Sequence, residues 1–96
     1  MTAFLFGAIK IHDSGWMAEY LANVPNIMRR HGGELAMSDC LKRYEGDHPE
    51  PDAIVLATFP SMKAIDAFFS DPDYRPYREA RLAATSSESF AFTTIG

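Results

Sequence analysis

Residues 44–74 decide the fold and read YEGDHPEPDAIVLATFPSMKAIDAFFSDPDY. A polar turn segment, Gly46 to Asp52, precedes the apolar run Ala53 to Phe59, whose length and composition are typical of a buried strand. Pro60 ends this strand because proline has no amide hydrogen to donate, and Ser61 can then cap a helix. Asp71-Pro72 ends that helix and can begin another. The segment therefore predicts a turn, a buried strand and two successive helices.

Thr2 to His12, upstream of this segment, is predicted to form a strand with two apolar faces. Its alternating residues fall into two largely apolar sets: Leu5, Gly7, Ile9 and Ile11 on one face, and Phe4, Phe6 and Ala8 on the other. An antiparallel strand with one face in water would show polar residues at alternate positions. We therefore expect both faces of this strand to be covered by protein.

The segment that follows has the pattern of an amphipathic helix. Asp13 or Ser14 can cap its first turn. Core-facing positions then recur at helical spacing: Met17, Tyr20, Leu21, Val24, Met28 and His31. Pro25 lies inside this pattern and is expected to kink the helix or divide it in two. Gly32-Gly33 ends the helix, with one glycine adopting the left-handed conformation.

The remaining elements complete a split βαβ order. Glu34 to Glu45 is predicted to be the second strand, the chain up to about Thr85 to be helical, and Ser89 to Ile95 to be the last strand. The order β-α-β-β-α-(α)-β favours an α+β fold, the ferredoxin-like plait, with a four-stranded antiparallel sheet and helices on one face. We expect one such domain over residues 1–96. The second apolar sheet face is then expected to pack against a second copy, giving a homodimer through the sheet faces.

Composition excludes several classes of protein. The formal net charge of −4 argues against nucleic-acid binding, which needs a concentrated basic surface. The longest apolar run, Ala3 to Ile9, is far too short to span a membrane. Cys40 is the single cysteine, so no internal disulfide can form and a reducing, cytoplasmic location is expected. Without a base partner, Cys40 is expected to be a small buried residue rather than a nucleophile.

An ordered set of short motifs carries a family resemblance over essentially the whole chain. The set comprises Val24-Pro25, Gly32-Gly33, Glu45-Gly46-Asp47-His48-Pro49, Phe59-Pro60-Ser61 with Ala64, Phe69-Ser70, and Tyr74 with Arg81. With this spacing the sequence resembles the domain of unknown function 1330 family. The resemblance implies a dimeric α/β-barrel, a superfamily that includes small cofactor-independent monooxygenases, muconolactone isomerases and chlorite-dismutase-like haem proteins. The family has no agreed reaction, so the resemblance implies an architecture and a pocket.

The sequence departs from the family pattern in two strands. The second strand carries Ser38-Asp39-Cys40 where the family often has Arg-Gly-Gly, so a potential anion-binding arginine is absent from that strand. The last strand ends Ala91-Phe92-Thr93-Thr94-Ile95 where the family tends towards valine and glutamate. The second departure is expected to affect only the lining of the barrel.

Tyr74, Tyr77 and Arg81 form the best candidate ligand site. Their spacing of i, i+3 and i+7 predicts that all three lie on one helix face. Two phenol hydroxyls and a guanidinium could hold a carboxylate or an enolate over an apolar sheet. The alternative is structural: Arg81 pairs with a carboxylate or a helix end, and the tyrosines pack in the core.

His12 is a candidate catalytic base, because imidazole side chains ionise near neutral pH. Adjacent strand residues point to opposite faces, however, so His12 and Asp13 cannot simply enter one pocket together. Trp16 is a candidate to line a cavity for a flat aromatic ligand, and is otherwise a core residue. His31 is expected to be structural at a helix C-terminus, and His48 to be exposed in a turn.

Two classes of function remain open. One is a small-molecule-binding protein with a pocket between helices and sheet, whose ligand is a small organic acid or an aromatic metabolite. The other is a cofactor-independent monooxygenase or isomerase, which would stabilise an enolate with Arg81 and tyrosine hydroxyls and use His12 as base. The histidines share no local metal-ligand spacing, so neither a metal nor a cofactor is expected.

Overall fold

The computed structural model describes residues 2–95, which form a four-stranded sheet and three helices. The elements are β1 (Ala3–Ile11), α1 (Met17–Arg30), β2 (Glu34–Ser38), β3 (Ala53–Phe59), α2 (Met62–Phe69), α3 (Arg75–Ala84) and β4 (Thr85–Thr93). The strand order across the sheet is β2-β3-β1-β4, and every neighbouring pair is antiparallel. This arrangement confirms the predicted ferredoxin-like plait.

The three helices cover one face of the sheet. Ala3, Leu5, Gly7 and Ile9 alternate as the buried positions of β1, as the sequence pattern predicts. The core that they enter is aromatic and aliphatic, and its largest fully buried side chains are Tyr74, Phe59, Phe68, Met28 and Val24. Gly33, just after α1, lies so close to the Phe59 ring that a Cβ at this position would come 2.5 Å from Cε2 of Phe59. Helix layer and sheet are therefore tightly packed at this end.

The opposite face of the sheet is apolar and carries no helix. Strand register places Ala36, Leu56, Phe6 and Phe90 side by side across the four strands, with Thr58, Phe4 and Phe92 in the neighbouring row. Phe90 is 63% exposed, and Phe92 and Leu56 are 44% and 43% exposed. We call the surface formed by these seven residues the open sheet face. Its existence confirms the two apolar faces predicted for β1.

Two strand boundaries differ from the sequence prediction. β2 ends at Ser38 rather than Glu45, and the Ser38 hydroxyl accepts the N–H of Cys40 at 3.1 Å, so this amide is bonded locally and not to a neighbouring strand. β4 begins at Thr85 rather than Ser89, since its polar first half pairs with the end of β1 although it shows no apolar alternation. Pairing with β1 therefore makes the last strand longer than its side-chain pattern predicts.

Helix termini follow the predicted chemistry at two places and depart from it at others. Ser61 caps α2 by accepting the N–H of Ala64 at 3.1 Å, and Gly32 adopts the left-handed conformation with φ of +77°. Asp13 does not cap α1. Its carboxylate accepts the N–H of Gly15 at 2.8 Å, and the helix begins only at Met17.

Two proline predictions also need correction. Pro25 does not divide α1, which runs unbroken because Tyr20, Val24, Ile27 and Met28 are buried on both sides of the proline. Their burial outweighs the loss of one helical hydrogen bond. Asp71-Pro72 does not begin the third helix. Asp71 accepts the N–H of Asp73 at 2.9 Å, and α3 begins after Tyr74.

Candidate functional site

A cavity of about 40 Å³ lies between the helices and the inward face of the sheet. Its apolar walls come from β1, β3 and Phe69 of α2, and its polar side is formed by Tyr20, Tyr74, Arg81 and Ser87. Gly7 of β1 also lines it and leaves space where any other residue would place a side chain. The cavity thus combines an apolar floor with a small group of convergent polar atoms, which is the composition of a small-molecule site in a much smaller volume.

Tyr20 and Tyr74 form a buried pair of phenols. Their hydroxyl oxygens lie 3.0 Å apart, and the two residues are 7% and 2% exposed. Tyr20 comes from the core side of α1, whereas Tyr74 immediately precedes α3 and stacks on Phe68 with 4.2 Å between ring centroids. One hydroxyl donates to the other, which leaves one O–H for a ligand.

Arg81 is half-buried and is held without an ionic partner. Its Nη1 donates to the Ser87 hydroxyl at 2.7 Å, and no carboxylate of residues 2–95 lies within 4.0 Å of its guanidinium. Thr85 donates its hydroxyl to the Arg81 carbonyl at 2.7 Å and lies 3.4 Å from the Ser87 hydroxyl. Because β4 follows α3 directly, Thr85 and Ser87 at its start fix the position of the guanidinium but do not neutralise its charge.

Burial and mutual contact shift the pKa values of Tyr20 and Arg81. Burial raises the pKa of Tyr20 well above its ordinary value of 10.0, Tyr74 adds to the rise, and Arg81 opposes it only in part. Burial by itself lowers the pKa of Arg81, but Tyr74 and Tyr20 more than offset this, so the pKa of Arg81 is raised. At neutral pH the cavity therefore holds one cation and a protonated Tyr20, and both can donate hydrogen bonds.

The raised pKa of Tyr20 predicts an alkaline loss of stability. Deprotonation is harder in the folded protein than in the unfolded chain, so this contribution is complete below pH 10 and declines as the pH rises further. We expect the free energy of unfolding to fall by about 1 kcal/mol per pH unit above pH 10 because of this group. Urea titrations between pH 9 and pH 12 should show a shallower decline for Tyr20→Phe. Tyr44→Phe, which removes an exposed phenol, is the control, and equal declines in all three proteins would refute the assignment.

The structure brings together two of the predicted site residues, Tyr74 and Arg81, and separates Tyr77 from them. At about 100° of rotation per residue, Arg81 falls within about 20° of Tyr74 around the helix axis, whereas Tyr77 is turned by about 60°. Tyr77 is partly buried and faces a groove between α1 and α3 that is also lined by Asn26 and Arg30. A ligand role for Tyr77 would therefore belong to that groove and not to the cavity.

His12 and Trp16 do not line the cavity. His12 is exposed after β1, with Nε2 at 2.7 Å from the Ser86 hydroxyl. Trp16 is 8% exposed and packs edge-on against the Tyr20 ring, with 5.2 Å between centroids. Among residues 2–95, its Nε1 is the single buried side-chain polar atom without a hydrogen-bond partner. Trp16 thus packs against the Tyr20 ring and does not contact the cavity.

His31 has a structural position, and His48 and Cys40 lie at the surface. His31 lies at the end of α1 with Nε2 at 2.8 Å from the Asp71 carboxylate, and this contact lowers the pKa of Asp71. His48 is exposed, as predicted, whereas Cys40 is exposed and not buried, because β2 ends before it. Within residues 2–95, no three His, Cys, Asp or Glu side chains come together as a metal site, and no helix is long and apolar enough to cross a bilayer.

Sequence reasoning missed Tyr20 as a site residue. Its position on the core side of α1 suggested packing only. A phenol hydroxyl within an apolar helical stripe needs a hydrogen-bond partner when it is buried. This requirement could have marked Tyr20 as a residue with a polar role. It could not identify the partner as Tyr74, which lies 54 residues further along the chain.

The strand order and the helix layer define the ferredoxin-like fold. The chain belongs to the family described as Domain of unknown function (DUF1330), whose sequence model matches residues 2–94. No curated protein matches the chain in sequence.

Several solved structures share the fold at low sequence identity. A protein of unknown function from Rhodopseudomonas palustris is 18% identical, with a TM-score of 0.80 over 99% of this chain and 83% of that chain. A dimeric ferredoxin-like protein of unknown function from Jannaschia sp. CCS1 is 14% identical, with a TM-score of 0.79 over 98% of this chain and 100% of that chain. SnoaB, a cofactor-independent oxygenase from Streptomyces nogalater, is 16% identical, with a TM-score of 0.72 over 99% of this chain and 94% of that chain.

Proposed function

We propose that the protein binds a small organic acid or an acidic aromatic metabolite in the cavity between its helices and its sheet, and that Arg81 anchors the acidic group. The observation that carries this proposal is the half-buried guanidinium, which has no carboxylate partner among residues 2–95. Removing a cation from water is costly unless an opposite charge or hydrogen bonds replace the lost solvation. Ser87 and the two neutral phenols offset the burial without supplying a counter-charge, and an anionic ligand would supply that charge.

The neighbouring phenols support an oxygen-rich anionic group. The Tyr20–Tyr74 pair has one hydroxyl hydrogen left to donate, and the guanidinium presents several N–H donors in a planar fork. A carboxylate accepts such hydrogen bonds with both oxygens. The apolar walls from Leu5, Ile9 and Val55 suit the carbon part of the same molecule.

We further propose that the protein is a homodimer in which two open sheet faces pack together. Contiguous exposed aromatic surface of this kind is rare on monomers and typical of interaction sites. The same patch on both copies would make a closed, two-fold symmetric contact. The description of the Jannaschia protein as a dimeric ferredoxin-like protein supports this assembly.

A second candidate function is that of a cofactor-independent oxygenase or isomerase acting through an enolate. Its support is the shared fold with SnoaB and the placement of Arg81 beside two phenols, since the donors that hold a carboxylate would also stabilise an enolate oxygen. Such an enzyme also needs a base, and His12 lies outside the cavity. The arrangement therefore favours binding over turnover.

A ligand screen on matched arginine variants tests the anchor. Monocarboxylic, dicarboxylic and phenolic acids would be screened by thermal shift and confirmed by calorimetry on the wild type, Arg81→Gln and Arg81→Lys. We expect an acid whose affinity falls about 10- to 100-fold in Arg81→Gln, because charge-assisted hydrogen bonds are worth about 1.5–3 kcal/mol. The affinity of Arg81→Lys should lie between those of the wild type and Arg81→Gln. Arg75→Gln, with a 78% exposed side chain on the same helix, is the control. An acid that binds all four proteins equally would place the site elsewhere.

A further inference from the structure

We infer that the ligand of this cavity is a short-chain monocarboxylate of about three to five non-hydrogen atoms, and not an aromatic acid. This inference rests on the proposed function and narrows its ligand class. It follows from three features of the cavity: its volume, the number and kind of its polar groups, and the position of Gly7. The volume and the polar groups each exclude a set of ligands, and Gly7 gives the position at which the size limit can be tested.

The volume limits the ligand to a few atoms. A buried site holds one water once about 10–15 Å³ is free, so a cavity of about 40 Å³ takes roughly three water-sized groups. Two carboxylate oxygens and one methyl group fill that space. An aromatic ring does not fit, because a cavity that holds benzene measures about 150 Å³, and Leu5 and Phe69 are packed against the core.

The polar groups select a single negative charge. The cavity is lined by one guanidinium and by the neutral residues Tyr20, Tyr74, Ser87 and Ser89. Glu88 lines it through its backbone, because its place opposite Ala8 on β1 turns the carboxylate towards the open sheet face. A second charge on the ligand would lie against the apolar walls without a cation to pair it, which is strongly unfavourable. A neutral amide of the same shape would leave the guanidinium uncompensated. The site is therefore matched to a monoanion.

Gly7 provides the space for the carbon end of the ligand. A Cβ built on Gly7 would lie 3.5 Å from Cβ of Val55 and 3.7 Å from the carbonyl oxygen of Glu88, both ordinary contact distances. The backbone at Gly7 does not have a positive φ, so alanine is accepted without strain. Gly7→Ala therefore adds one methyl group to the cavity floor and leaves Arg81 and the phenols in place.

Titrations followed by ¹H–¹⁵N NMR test the inference on the wild type, Gly7→Ala and Arg81→Gln. The probes are sodium formate, acetate, propionate and benzoate, and the neutral acetamide, at constant ionic strength with chloride as the reference anion. The backbone amides of Gly7, Ser87 and Ser89 report on the cavity. We expect acetate to bind the wild type with Kd on the order of millimolar, as very small ligands do. Benzoate and acetamide should bind at least about 10-fold more weakly.

Gly7→Ala and Arg81→Gln should change the affinities for these acids in different ways. Gly7→Ala should weaken acetate and propionate about 10-fold or more while retaining formate, whereas Arg81→Gln should weaken all three. If a larger acid binds in an Arg81-dependent manner and acetate moves the amides no more than chloride does, the size limit is overturned and the proposed anchor stands. If no acid of any size depends on Arg81, the proposed function is overturned as well. Circular dichroism of Gly7→Ala verifies that its fold is intact.

Discussion

Phe90→Asp is expected to break the proposed homodimer into monomers. Phe90 lies on β4 within the row that also contains Leu56 and Phe6, and its exposure of 63% is the largest of the aromatic side chains on the open sheet face. In a symmetric contact the substitution would bury an unpaired carboxylate on each copy. Because an uncompensated buried charge costs several kcal/mol, self-association should weaken by at least about 100-fold.

Sedimentation equilibrium over a range of protein concentrations measures this change. Met62→Asp is the matched control, because it introduces the same charge at an exposed apolar residue of the helix layer, on the other side of the sheet. Wild type and Met62→Asp should have the mass of two chains and Phe90→Asp the mass of one. A wild-type protein that is monomeric at micromolar concentrations would refute the dimer. A dimeric Phe90→Asp would place the interface outside the open sheet face.

Phe68→Ala is expected to give the largest loss of stability among single substitutions in the core. Phe68 is fully buried on α2, with ring centroids at 5.7 Å from Phe59, 5.4 Å from Phe69 and 4.2 Å from Tyr74. Truncation would open a cavity among these three aromatic rings, which typically costs about 3–5 kcal/mol. Domains of this size are stable by about 5–15 kcal/mol, so the variant should be marginal or unfolded at 37 °C.

Urea unfolding at a fixed protein concentration measures the loss, since stability depends on concentration in a dimer. Met62→Ala, 42% exposed on the same helix, should change the free energy of unfolding by about 0.5 kcal/mol or less. Phe68→Ala should also reduce ligand affinity in the conditions where it folds, because Phe68 stacks on Tyr74. A loss of less than about 1 kcal/mol would show that α2 does not anchor the helix layer.

The fold could be predicted from the sequence because local signals agree with one another. Ser61 caps α2, Gly32 takes the left-handed conformation, and the alternation in β1 marks its two apolar faces. Local signals failed where tertiary contacts decide the conformation. Pro25 is tolerated because residues on both sides of it are buried, and the polar start of β4 is a strand because β1 pairs with it.

The candidate site was predictable only in part. The spacing of Tyr74 and Arg81 follows helix geometry, so their convergence could be anticipated from the sequence. The contribution of Tyr20 depends on how α1 packs near α3, and the unpaired state of Arg81 depends on which carboxylates the fold brings close. The size of the cavity depends on Gly7 facing inward from β1. None of these follows from local sequence.

A crystal structure of the protein with saturating sodium acetate would show whether Arg81 anchors a carboxylate between the helices and the sheet. We predict electron density for one carboxylate in the cavity, with an oxygen at about 2.7–2.9 Å from the Arg81 guanidinium and within hydrogen-bond distance of the Tyr20–Tyr74 pair. A cavity that holds only water, with Arg81 still bonded to Ser87 and acetate bound elsewhere, would contradict the proposal.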